Sequence, residues 1–147
     1  MKHTCGFCIL MIGAIFMLVM LLLGQTMSFI DYDFTVSLGL QESVDSVSEL
    51  GVAMNKGFGV GDTIVYVPLF IIGIIGLWLN RKWGHFAMIA AMAITAYWPM
   101  VIVFFLLFAR DAAGFNFSNY LSYFIFLSLI TIYGIWGMFY LFKNKIE

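Results

Sequence analysis

The chain has 147 residues, of which 63% are apolar and only 10% are charged, and its mean hydropathy is +1.02. Soluble domains are about 45–50% apolar and about 25% charged, so this composition excludes a soluble globular domain. Seven Lys and Arg against eight Asp and Glu give a formal net charge of −1. The chain therefore lacks the cationic surface that binding to a nucleic acid requires. We therefore expect an integral membrane protein embedded in a lipid bilayer.

Long uncharged stretches predict four transmembrane helices. About 20 apolar residues cross the roughly 30 Å hydrocarbon core of a bilayer, and four segments approach or exceed that length. The predicted spans are residues 6–28, 63–80, 85–108 and 119–142. The chain is thus predicted to be a single all-α transmembrane domain, residues 1–147, with an extracytoplasmic loop of about 34 residues, 29–62, between its first two helices.

The basic residues predict the orientation, because positive charge near the spans is retained on the cytoplasmic side. If the four helices alternate in direction, five basic residues fall on one side: Lys2, Arg81, Lys82, Lys143 and Lys145. Only Lys56 and Arg110 fall on the other. This distribution predicts a multi-pass protein of the cell membrane, plasma or inner, with both termini in the cytoplasm.

The outer loop, residues 29–62, carries six acidic side chains and one lysine. Residues 31–38 alternate polar and apolar, the pattern of a half-buried strand, and apolar spacing over residues 44–54 favours a short amphipathic helix. Asp62 is placed to cap the second transmembrane helix. Three glycines predict the turn before it: Gly57, Gly59 and Gly61. They lack the lysine and hydroxyl residue that complete a phosphate-binding loop, so no nucleotide site is assigned.

The outer loop has two candidate roles. Apolar anchors carry most of the energy of an interface, so four side chains are predicted to contact another membrane subunit or a second copy of the chain: Tyr32, Phe34, Leu38 and Phe58. Carboxylates can instead concentrate cations at a channel mouth. The candidate cation-attracting residues are Asp31, Asp33, Glu42 and Asp45.

A Cys-x-x-Cys pair at the start of the first helix is the strongest indication of chemistry. A helix N-terminus favours thiolate reactions and soft-metal binding, and both histidines should lie at the same end of the bundle. The candidate ligands for Zn or Cu are His3, Cys5, Cys8 and His85. The simpler interpretation, in which the cysteines are small apolar residues and the histidines are interfacial, is preferred because no second cysteine pair exists.

No Asp, Glu, Lys or Arg falls inside a predicted span. Intramembrane ionisable residues mark proton relays and ion-coupled transport, so a proton-coupled carrier is not expected. Neither a haem-binding histidine pair at membrane depth nor a catalytic triad can be assembled. We therefore identify no cofactor and do not expect an enzyme.

Small residues in the last three helices predict close packing within one chain rather than an oligomer seam. Pro99 predicts a kink in the third helix that could border a ligand cavity. The polar-tipped side chains that could line such a cavity are Tyr66, Tyr97, Trp98, Thr131 and Tyr133.

These observations favour a non-catalytic binding, assembly or accessory component of a membrane complex. Two alternatives remain open. One is a thiol-redox or metal-handling protein that uses Cys5 and Cys8, and the other is an oligomeric cation channel with an acidic outer mouth.

Overall fold

The computed structural model describes residues 4–112 and 120–145, and all regular structure in these ranges is helical. The helices, in chain order, are α1 (Cys5–Ile30), α2 (Tyr32–Ser37), α3 (Val44–Trp78), α4 (Lys82–Ala109) and α5 (Tyr120–Lys143). All except α2 are long and apolar enough to cross a bilayer. The prediction of an all-α chain with four such helices is confirmed.

Helix α3 is much longer than the predicted second span. It begins at Val44, is broken at Ser48, and continues through the glycine-rich stretch and Asp62 to Trp78. The part after the break, residues 49–78, extends about 45 Å at 1.5 Å per residue, well beyond a hydrocarbon core of about 30 Å. The helix predicted over residues 44–54 is therefore present, but the predicted glycine turn and the capping role of Asp62 are wrong.

The strand predicted over residues 31–38 is also wrong, because this segment forms α2. The Asp31 carboxylate accepts a hydrogen bond from the Phe34 backbone N–H at 3.0 Å and caps the helix. A lone strand would have left its backbone groups unpaired, whereas a helix pairs them internally. Tyr32 and Thr35, three positions apart, form the buried face of α2.

Glycines set the closest helix crossings. A side chain at Gly76 or Gly84 would overlap the backbone of the other residue, so α3 and α4 touch directly there. A Cβ on Gly134 would lie 2.5 Å from the backbone nitrogen of Ala96, and one on Gly137 would lie 2.5 Å from the sulfur of Met92. The prediction that these small residues pack within the chain is confirmed.

The four long helices alternate in direction. The Thr4 and Tyr140 hydroxyls lie 2.8 Å apart, which joins the start of α1 to the end of α5. At the opposite end, the Tyr123 hydroxyl donates to Glu42 Oε1 at 2.9 Å, joining the start of α5 to the segment before α3.

The two ends of the bundle differ in charge. The basic end, where α1 and α4 begin and α3 and α5 end, carries Arg81, Lys82, Lys143 and Lys145. The opposite, acidic end carries α2 and the first half of α3. The carboxylates of residues 4–112 and 120–145 all belong to the acidic half: Asp31, Asp33, Glu42, Asp45, Glu49, Asp62 and Asp111.

Candidate functional site: a cavity at the acidic end

A cavity of about 370 Å³ lies between the helices at the acidic end. Helices α1, α3, α4 and α5 contribute to it, together with the α2–α3 link, residues 38–43. Its walls are mainly apolar, and its polar side chains are Gln25, Gln41, Glu42, Asn55, Asp62, Tyr66, Trp98, Ser122 and Tyr123. A few polar groups on apolar walls are typical of small-molecule sites. We call this space the acidic-end cavity.

Two π-helical turns contact each other beside this cavity. Helix α1 is π-helical over Leu21–Thr26, and α3 is π-helical over Asp62–Tyr66. Such turns are rare and occur frequently at functional sites, since the extra residue redirects the side chains around it. Here the two turns contribute Gln25 and Asp62 to the cavity wall.

The two turns are held together by close packing and by hydroxyl groups. Thr63 donates to the Gly59 carbonyl at 2.7 Å, so its own oxygen accepts from Thr26 at 2.8 Å. A Cβ on Gly59 would overlap the Gln25 carbonyl and the Ser28 hydroxyl. Only glycine therefore allows α1 and α3 to approach this closely.

Asp62 is the ionisable group that sequence reasoning misplaced. Its side chain is only 9% exposed and accepts no hydrogen bond from any residue that the structure describes. It lies 16 residues before Trp78, about 24 Å along the helix and thus within the thickness of a hydrocarbon core if Trp78 lies at the interface. The structure places this residue inside the long apolar helix α3, one position before the predicted span 63–80.

Two polar atoms of the cavity-lining side chains are buried without a partner among the described residues: Gln25 Oε1 and Trp98 Nε1. The ring of Trp98 packs edge-on against Phe58, with centroids 5.9 Å apart. The sequence predicted a cavity near Pro99, and Pro99, Trp98 and Tyr66 do line one. Tyr97 instead points away from the bundle and is exposed.

Hydrogen bonds hold the α2–α3 link over the cavity. The Tyr32 hydroxyl donates to the Glu42 carbonyl at 2.9 Å and accepts from Asn55 Nδ2 at 3.0 Å. Tyr123 donates to the Glu42 carboxylate, and Gln41 Nε2 donates to the Gly24 carbonyl at 3.1 Å. The link therefore has fixed contacts with α1, α3 and α5.

Burial raises the pKa of Tyr32 above its ordinary value of 10.0. The hydrogen bond from Asn55 lowers this pKa, and the charge of Glu42 raises it. The Lys56 ammonium lies 5.6 Å from the centre of the Tyr32 ring, within cation–π range. The neutral phenol is the form that the link requires, because the Tyr32 hydroxyl donates a hydrogen bond to the Glu42 carbonyl.

The four predicted partner-binding residues do not form one exposed patch. Tyr32 is 8% exposed and supports the link, and Phe58 lines the cavity. Phe34, 41% exposed, and Leu38 are the two on the surface. Binding of a partner through these two residues stays a prediction.

The four predicted cation-attracting residues are also divided. Asp31, Asp33 and Asp45 are exposed, and Asp31 is used to cap α2. Glu42 is the one of the four that lines the cavity, where Asp62 joins it. The acidic-end cavity therefore contains two carboxylates, one hydrogen-bonded and one buried without a partner among the described residues.

Three of the four proposed metal ligands, Cys5, Cys8 and His85, lie at the basic end. Cys5 and Cys8 are free, exposed thiols, His85 is buried, and His3 lies outside the described residues. Within the described residues, no three His, Cys, Asp or Glu side chains are grouped closely enough to hold a metal ion. A metal site that includes His3 stays a prediction.

The acidic-end cavity can bind positive charge and apolar surface together. Buried carboxylates need a counter-charge or a donor, aromatic rings attract cations, and the remaining walls suit a hydrocarbon body.

Comparison of the chain with protein-family models, with curated proteins and with solved structures found no match.

Proposed function

We propose that this chain is a non-catalytic binding component of a membrane complex, and that its acidic-end cavity binds a small amphipathic molecule with a positively charged group. The observation that supports this most directly is Asp62, buried in the cavity wall without a hydrogen-bond partner among the described residues. An ionised carboxylate in apolar surroundings is costly unless a positive charge or a donor compensates it. A cationic ligand supplies that compensation.

The other walls determine the rest of the ligand. Trp98 and Tyr66 present aromatic rings to a cation. Gln25 Oε1 has no hydrogen-bond partner among the described residues, and it can accept a hydrogen bond from an ammonium N–H. Leucine, isoleucine and phenylalanine side chains form most of the remaining surface. An organic amine with an aromatic or alkyl body fits this lining better than a hard metal ion, which takes six or more oxygen ligands.

The first test compares two probes of nearly equal shape, 2-phenylethylamine and 2-phenylethanol, with the purified chain in lipid nanodiscs. We expect saturable binding of the amine, monitored by calorimetry and by intrinsic tryptophan fluorescence, to which Trp98 contributes together with three other tryptophans. D62N should weaken amine binding about tenfold or more, since a charge-assisted contact is worth about 1.4 kcal/mol or more.

D33N is the matched control, because it removes the same charge from an exposed position at the same end. It should bind the amine as the wild type does. Equal binding of amine and alcohol, or equal losses in D62N and D33N, would contradict the proposal. Thermal unfolding of each variant separates lost binding from lost folding.

We further propose that the basic end faces the cytoplasm, with both termini there, and that residues 29–62 face outside. Lysine and arginine near the ends of spans are retained on the cytoplasmic side, and four basic residues are concentrated at that end. The acidic-end cavity would then open towards the outer face of a cell membrane.

Single cysteines test this orientation. In a C5S/C8S background, an impermeant thiol reagent added to intact cells should label D45C but not K145C, since both positions are exposed and lie at opposite ends. Both should be labelled once the cells are lysed. Labelling of position 145 from outside would reverse the proposed orientation.

A further inference from the structure

A second cavity, of about 270 Å³, lies at the basic end between the start of α4 and the end of α5. Its lining consists of Lys82, His85, Phe86, Ile89, Phe142 and Lys145. The charged groups lie at the helix ends, whereas Ile89 lies seven residues beyond Lys82, about 10 Å further into the bundle. We call this space the basic-end cavity, and its lining changes from charged to apolar with depth.

His85 provides a polar group within this lining. The residue is 6% exposed, and its Nδ1 is buried without a hydrogen-bond partner among the described residues. A neutral imidazole offers one donor and one acceptor, and leaving such a group unpaired in a protein interior costs free energy. A hydrogen-bonding ligand in the cavity would engage the imidazole.

The charge around the basic-end cavity is of one sign. Lys82 and Lys145 line it, and Arg81 and Lys143 lie at the same end. Across residues 4–112 and 120–145, every carboxylate belongs to the opposite half of the bundle. This end therefore attracts anions.

We propose that the basic-end cavity binds the phosphate headgroup of an anionic phospholipid. Lys82 and Lys145 neutralise the phosphate, and His85 adds a hydrogen bond. The exposed rings of Phe86 and Phe142 contact an acyl chain, which a free phosphate ion would leave unused. Basic pockets between transmembrane helices are suited to anionic headgroups. This inference does not depend on the ligand of the acidic-end cavity.

Native mass spectrometry of the detergent-purified chain tests this proposal. The lipids are phosphatidylglycerol and phosphatidylcholine with identical acyl chains, and inorganic phosphate is the third probe. We expect phosphatidylglycerol to bind preferentially, and K82Q/K145Q to reduce its affinity about 30-fold, since each lysine near a headgroup contributes about 1 kcal/mol, or about fivefold. H85L, which keeps both lysines, should reduce the affinity less.

R81Q/K143Q is the matched control, because it removes two positive charges from the same end without altering the cavity lining. It should keep most of the preference for phosphatidylglycerol. Equal losses in the two double variants would show general attraction to a basic surface and would overturn the proposal. Full competition by inorganic phosphate would identify a free-phosphate site and would also overturn it.

Discussion

Replacing Gly84 with alanine is expected to lower the free energy of unfolding by about 1–3 kcal/mol or more. The new Cβ would overlap the backbone of Gly76 and would lie 2.7 Å from the nitrogen of Leu77. Backbone atoms in two packed helices cannot rotate away as a side chain can, so α3 and α4 must separate along their crossing. Thermal unfolding in detergent, followed by circular dichroism, measures the loss.

G57A is the matched control for this substitution. Gly57 is also helical, but nothing lies within 4 Å of a Cβ placed there. The same change should be neutral or stabilising by up to about 1 kcal/mol, because alanine has a higher helix propensity than glycine. Similar Tm values for G84A and G57A would show that the α3–α4 crossing tolerates separation.

Replacing Tyr32 with alanine is expected to open the α2–α3 link. The change removes a buried ring, two hydrogen bonds and the contact with Lys56, and comparable aromatic truncations cost about 3–5 kcal/mol. We expect faster amide hydrogen exchange over residues 31–43 and weaker amine binding at the acidic-end cavity, with the four long helices still folded.

F34A provides the control, since Phe34 is on the surface of the same helix and surface substitutions usually change stability by less than about 0.5 kcal/mol. Equal exchange rates in Y32A and F34A would contradict a supporting role for Tyr32.

The raised pKa of Tyr32 makes its contribution to the free energy of unfolding depend on pH. Its stabilising contribution is present below pH 10 and is lost as the pH rises further, and Y32F should not show this loss.

The four helices that are long and apolar enough to cross a bilayer could be predicted from the sequence, because hydrocarbon imposes a simple condition on composition and length. The close packing at Gly76 and Gly134 could be predicted for a similar reason, since small residues allow backbones to approach in a membrane. The continuity of α3 through the glycine-rich stretch and Asp62 could not be predicted. The uncharged stretch that predicts this helix begins just after Asp62. A helix that extends beyond the bilayer keeps its internal hydrogen bonds, so it can continue past a charged residue.

The side chains of residues 31–38 that face inward were mispredicted, because the segment was expected to have the two-residue period of a strand and forms a helix instead. In a strand, Tyr32 and Phe34 would share one face. In a helix they are about 200° apart, so one is buried and the other exposed. The alternation over residues 31–38 favoured a strand, whereas the cap that Asp31 forms at the start of α2 is a local feature that favours a helix.

The acidic-end cavity has no local sequence signal. Glu42 and Tyr123 are 81 positions apart and meet through the α2–α3 link, and Gln25 and Asp62 reach the cavity from two different helices, α1 and α3. Only the kink at Pro99 indicated where such a space could form. The remaining geometry follows from how the helices pack.

The depth of Asp62 also determines how the ligand site would respond to a voltage. If Trp78 lies at the opposite interface, about 24 Å from Asp62 along α3, a cation that enters from the acidic end and stops at Asp62 would cross about 6 Å of a 30 Å hydrocarbon core, or about a fifth of the transmembrane electric field. Moving one charge across the whole field involves about 2.3 kcal/mol per 100 mV, so this step involves only about 0.5 kcal/mol. Occupancy of the acidic-end cavity would therefore follow ligand concentration much more closely than membrane potential.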